Sequence, residues 1–260
     1  MTLCIAATCH EAGDPRIVLC FDAKGSSDLG SSETIWKYER LTLKYGALIA
    51  GVTADARELA DIYREQMNKT DSVPLAGLSS LVEYLRLPAE MFRKRKINEF
   101  LVTRWGQNIE DFEATCNNEN RRYEIANMLC PAWLIIAGFS GRQPVLFDYG
   151  HWAISTAEHY AAIGEGASVA MPILKYRSQA EHDTLSSTLY KVYEAKKLAE
   201  VYDSVGTDTK IIVLKPGTSP ESMDQQVVNP QGIEFLHSRF LEYGPRAVPV
   251  MHDFPSEFRL

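Results

Sequence analysis

The sequence predicts an α+β fold built as a four-layer αββα sandwich, two sheets stacked face to face with helices on their outer faces. Three observations carry that expectation. The elements run strands, helices, strands, helix, strand, without the regular alternation of a doubly wound parallel sheet. Four strands precede the first helix. The first strands are apolar on both faces, since Leu3, Ile5 and Ala7 alternate with Cys4 and Ala6, so the sheet they build is covered on each side.

In chain order, Leu3 to Ala7 and Arg16 to Phe21 flank the turn residues Glu11-Ala-Gly-Asp-Pro15 and read as a hairpin. A polar stretch from Gly25 to Glu33 leads to the apolar segment Thr34-Ile-Trp36, and Leu41 to Val52 reads as a strand pair interrupted near Lys44-Tyr45-Gly46. Ala54 to Met67 is the first strong helical pattern, with Ala56, Leu59, Ala60, Tyr63 and Met67 at three- and four-residue spacing and Asp55 and Glu58 near its positive end. Pro74 to Gly77 breaks the chain. A helix-rich region follows from about Ser79 to Met128, punctuated by Pro88, Gly106 and Asn117 to Asn120. Strands resume at Trp133 to Phe139, Pro144 to Asp148 and Tyr160 to Ile163, then a helix from Ser186 to Val201 and a last strand from Lys210 to Leu214. After Pro216 the tail reads as irregular. Residues 1–216 form the expected domain, and 217–260 an extension packed on it or on a neighbouring subunit.

Composition narrows the function classes. With 45% apolar and 23% charged residues in 260, the chain can bury a core, which excludes disorder as the main state. No apolar run approaches the roughly 18 residues of a membrane-spanning helix. A net charge of −7 gives no general attraction to nucleic acid or anionic lipid, and Arg93-Lys94-Arg95-Lys96 reads as a solvated helix face. The start reads as lacking a secretory leader. Five cysteines without Cys-x-x-Cys spacing argue against a disulfide framework or a cysteine zinc site, so a reducing cytoplasm is the expected setting.

Thr2 carries the functional expectation. A small second residue allows Met1 to be removed, which joins a hydroxyl nucleophile and a free α-amine in one residue. Such an amine, with a pKa of about 7.7–8.0, can accept the hydroxyl proton at neutral pH. The plain alternative is that Thr2 simply starts a strand. Asp22, a carboxylate directly after the apolar run Ile17 to Phe21, needs a cation if buried. Lys37 can supply one, and a Lys beside the Thr hydroxyl would favour an alkoxide-like transition state. Otherwise Asp22 caps a turn and Lys37 lies on the surface.

Together these segments resemble the proteasome β-subunit family of N-terminal nucleophile (Ntn) hydrolases, in ordered motifs over most of residues 2–214. Thr2 matches the nucleophile, and Ile17-Val-Leu-Cys-Phe-Asp22-Ala-Lys24 resembles the strand ending in the catalytic Asp, with Lys24 in place of the usual Arg. Lys37 matches the catalytic lysine by its separation from Gly51 in Leu48-Ile-Ala-Gly51-Val-Thr-Ala-Asp55. The resemblance implies that Gly51 N–H is an oxyanion donor. It also implies hydrogen bonds to the Thr2 amine from the turn Gly164-Glu-Gly166-Ala-Ser168, although the usual serine aligns with Gly166 and Ser168 falls two residues on. Asp203 matches the supporting carboxylate, with Asp208 as competitor. Gly25, Ile35, Ile49 and Thr53 are implied around an apolar substrate pocket; Ile35 and Ile49 are equally read as core residues.

The resemblance thus implies a threonine-type peptidase that needs no cofactor, acts on peptide or unfolded-protein substrates and assembles as a homo-oligomeric ring or spiral; an unfoldase partner stays unidentified. Two alternatives remain: a catalytically silent assembly subunit that keeps Met1, and an Ntn amidase acting on a non-peptide amide. No His-x-x-x-His pair or phosphate-binding loop is present, so metal and nucleotide are not expected. Cys4, Cys9 and Cys20 read as small buried hydrophobes.

Overall fold

The computed structural model describes residues 2–27, 30–32, 35–69, 78–115, 118–219 and 222–245. Met1, Thr34, the expected break at Pro74 to Gly77, Asn117 and the tail beyond residue 245 lie outside the described residues. The opening hairpin forms as expected, with β1 (Leu3–Glu11) antiparallel to β2 (Asp14–Asp22). A short ribbon, β3 (Gly25–Ser27) with β4 (Gly30–Ser32), follows. The next pair is β5 (Tyr38–Arg40) and β6 (Tyr45–Gly51), so the turn occupies Leu41 to Lys44 and the first strand lies earlier than predicted. Both Leu41 and Thr42 donate their N–H to the Tyr45 carbonyl, a local closure that apolar patterning does not reveal.

Helix α1 (Thr53–Lys69) buries the five apolar residues predicted for its inner face. Helix α2 (Leu78–Trp105) continues through Pro88, where the sequence suggested punctuation. Leu81, Leu85, Ala89 and Phe92 are buried at helical spacing around that proline, and this packing outweighs its missing N–H. Helices α3 (Ile109–Thr115) and α4 (Glu119–Ala126) adjoin a small separate cluster built on Leu101 and Phe112.

A meander follows: β7 (Ala132–Ser140), β8 (Gln143–Gly150) and β9 (Ala153–Ala157), then β10 (Tyr160–Gly164). Strand β9 and helix α5 (Ala167–Tyr176) were not anticipated, because β9 has one buried residue in five and the start of α5 has no side-chain cap. Helix α6 (Leu185–Ala199) leads to β11 (Thr209–Pro216). The supposedly irregular tail instead forms β12 (Met223–Val227), paired with β11, and α7 (Pro230–Tyr243), which starts with an Asn229 cap and a proline in its first turn.

The αββα sandwich expected from the sequence is corrected by this topology. The chain is a mixed α/β structure with two antiparallel five-stranded sheets, ordered β10-β1-β2-β11-β12 and β5-β6-β7-β8-β9. Element order could not show that β12 extends the first sheet, that β9 extends the second, or that the α2–α4 region carries a cluster of its own.

The core falls into three larger clusters. One joins both sheets through residues such as Phe21, Leu48, Ile135 and Ile212. Another joins β6–β8 to α1 and α2, and the third joins β1, β2 and β11 to α5, α6 and α7. No described helix is long and apolar enough to cross a membrane.

Candidate active site

Side chains alternate across a strand, so Thr2 shares the face of Cys4 and Ala6, which look into the cluster between the sheets. The hairpin brings the end of β2 back beside the start of β1, and the Leu3 N–H donates to Asp22 Oδ1 at 2.7 Å. The Thr2 hydroxyl also donates to Asp22 Oδ1 at 2.7 Å. Lys37, immediately before β5, donates from Nζ to Thr2 Oγ1 and, at 2.9 Å, to Asp22 Oδ1. Thr2, Asp22 and Lys37 are 5%, 0% and 4% exposed, so the ion pair is desolvated.

A buried charge pair is tolerable only when its remaining valences are filled. The second Asp22 oxygen accepts from Lys24 N at 3.2 Å and Gly206 N at 3.1 Å. Gly206 went unnoticed in the sequence because it acts through a backbone N–H, which any residue carries.

Two glycines shape the surroundings. Gly164, opposite Leu3 in the register, has φ +91°, and a Cβ there would collide with the Thr2 carbonyl oxygen. Gly51 has φ +98°, and a Cβ there would collide with the Pro131 carbonyl, so the backbone demands glycine at this position whatever its chemical role. Ile49 N–H donates to Lys37 O at 2.9 Å. Alternate N–H groups of a strand point to the same edge, which puts Gly51 N–H on the edge where Lys37 lies.

Thr2 and Gly51 open onto a cleft of about 470 Å³, within the usual range for a small-ligand site. Trp133, Asp148, His151 and Glu165 are among its other lining residues. Asp148 and His151 were not singled out from the sequence. Asp148 ends an apolar run, the same signal that drew attention to Asp22.

Several expected participants lie elsewhere. Ser168 Oγ donates to Glu165 O at 3.1 Å and meets Tyr202 OH at 3.2 Å, so its hydroxyl is engaged away from Thr2. Asp203 is exposed; its contact with the Asp22 neighbourhood is through its carbonyl, which accepts from Lys24 Nζ at 2.6 Å. The Asp208 carboxylate pairs with Lys210. Of the implied pocket residues, Ile49 is 3% exposed in the cluster beneath α1 and α2. Thr53 is exposed at the start of α1, Ile35 is half-buried, and Gly25 begins β3. Ile35, Ile49 and Thr53 are not among the residues that line the cleft beside Thr2.

Cys4 lies close enough to Lys37 to feel its charge, yet burial dominates and pushes the thiol far above its ordinary value. A neutral thiol is no rival to Thr2 as nucleophile. Among the described residues no group of three or more His, Cys, Asp or Glu side chains could hold a metal ion.

Neither a protein-family model nor a curated protein matches the chain. The residues themselves therefore have to carry the functional reading.

Proposed function

We propose that the protein is an amide hydrolase of the proteasome-like threonine type, using Thr2 as nucleophile once Met1 is removed and peptides as substrates. The observation that carries this reading is the Thr2 hydroxyl held between Lys37 Nζ and Asp22 Oδ1 in a desolvated pocket at the edge of a cleft. A structural threonine does not need a buried lysine aimed at its oxygen.

In the proposed reaction the Thr2 α-amine takes the hydroxyl proton, directly or through a water, as Oγ1 bonds to the substrate carbonyl carbon. Lys37 stabilises the negative charge building on Oγ1, and Asp22 pairs with Lys37 and orients it. Gly51 N–H donates to the carbonyl oxygen as it becomes an oxyanion. The C–N bond then breaks, and the amine returns its proton to the leaving nitrogen. Water, deprotonated by the same amine, hydrolyses the ester left on Oγ1 and regenerates Thr2. The reading extends to a homo-oligomer and to a reducing, cytoplasmic setting, the latter supported by the free thiols of Cys4, Cys9, Cys20 and Cys130.

The test is turnover of an internally quenched peptide library. Cleavage is expected in the wild type, near-complete loss in Thr2→Ala and partial retention in Thr2→Ser. Equal cleavage by wild type and Thr2→Ala contradicts the proposal. The silent-subunit reading draws on one observation, the engagement of Ser168 away from Thr2; it requires Met1 to persist in the mature protein, which an intact mass reveals.

A further inference from the structure

The cleft beside Thr2 has a distinctive charge pattern. Among the described residues its lining includes the carboxylates of Asp148 and Glu165 and the imidazole of His151, and no lysine or arginine. Glu165 is exposed and already accepts a hydrogen bond from Ser204. Asp148 is different.

In β8, Val145, Phe147 and Tyr149 face the cluster under α1 and α2, while Leu146 faces the space between the sheets. Strand alternation therefore turns Asp148, like Thr2, into the inter-sheet space where the cleft opens. The side chain is half-buried and has no hydrogen bond or ion pair among the described residues. Burial pushes its carboxyl up and the nearby His151 offsets part of that, as expected of a partly desolvated acid with no hydrogen-bonded partner among the described residues.

The backbone beside it is held in a costly shape. His151 and Trp152 join β8 to β9 with φ +50° and +66°, a left-handed pair that favours Gly or Asn. Trp152 anchors the turn: its Nε1 donates to Met128 O at 2.9 Å, and its ring lies 6.1 Å from that of Phe92. Such strain concentrates where geometry serves a ligand, and here it fixes His151 and the end of β8 at the cleft.

We propose that Asp148 is the specificity-determining residue of this cleft and selects a peptide carrying a lysine or arginine side chain near the bond presented to Thr2. The proposal rests on the reading of Thr2 as nucleophile. A basic side chain would give Asp148 a direct ion-pair partner, while an acidic one would meet the Asp148 and Glu165 carboxylates, the Lys37 ammonium being held by Thr2 and Asp22.

The test uses the full-length Thr2→Ala protein, which cannot turn substrate over, and fluorescein-labelled hexapeptides in which lysine or its neutral isostere norleucine is moved through each position. At one position lysine is expected to bind at least about tenfold tighter than norleucine, with the advantage erased by adding Asp148→Asn and kept by adding Asp148→Glu. Equal binding of the two series, a lysine preference that survives Asp148→Asn, or no binding by any peptide overturns the proposal. Labelling of wild-type Thr2 by a β-lactone is scored separately. Charge selection without labelling sinks the nucleophile and leaves Asp148 standing; labelling without charge selection does the reverse.

Discussion

Asp22 accepts five hydrogen bonds, from Thr2 Oγ1, Leu3 N, Lys37 Nζ, Lys24 N and Gly206 N. Every one of these groups is a donor, so the Asp22→Asn side chain must turn its own NH₂ toward N–H groups on one side or the other. The variant is expected to lose about 3–5 kcal/mol of stability by urea denaturation, the cost of leaving a buried partner charge unpaired. A loss under 1 kcal/mol would show that the carboxylate is not desolvated. Lys37→Met removes the charge beside Oγ1 while keeping the apolar stem, and β-lactone inactivation is expected to slow by about 100-fold or more. At this scale the sequence was informative for Asp22, because a charge placed against an apolar run signals burial and demands a partner, whereas Thr2 stood out as the second residue and Lys37 by its separation from Gly51. It was uninformative for Gly206, whose contribution is a main-chain N–H.

Strands β1 and β10 meet where Gly164 faces Leu3, and there the backbone of Thr2 leaves no room for a side chain. Gly164→Ala is expected to destabilise the fold by about 1–3 kcal/mol and to reduce β-lactone labelling by displacing Thr2. Wild-type labelling and stability in that variant would mean the two strands separate easily. The hairpin also buries its thiols: burial raises Cys9 to about 11 and Cys20 to about 12. At pH 8 these groups remain protonated, so a thiol reagent with peptide mapping is expected to spare Cys4, Cys9 and Cys20 in the native protein and to modify them in urea.

At this scale α1 and the first hairpin were legible, because clean periodicity and a turn cluster agreed. In the helix-rich region Pro88 reads as punctuation, yet α2 continues through it, since local propensity cannot register the apolar contacts on both sides of the proline. The tail that reads as irregular holds α7, whose start is marked by the cap at Asn229 and the Pro230 that follows.

Across the whole molecule, the apolar faces on both sides of the first strands were legible, but the arrangement of layers was not, and the expected αββα sandwich gave way to two five-stranded sheets with additional helices. Strand β12 pairs with β11, and Leu236 of α7 is buried in the cluster over the first sheet. Truncation after residue 216 is therefore expected to strip an edge strand and a covering helix and to lower the urea midpoint. An unchanged midpoint would make 217–245 an independent appendage.

The Thr2 reading is tested most directly by the mass and N-terminal sequence of the protein after reaction with a β-lactone. The expected result is a mature chain that begins at Thr2 and carries one adduct on that residue, absent from Thr2→Ala. Retention of Met1, or an adduct on any other residue, would contradict it.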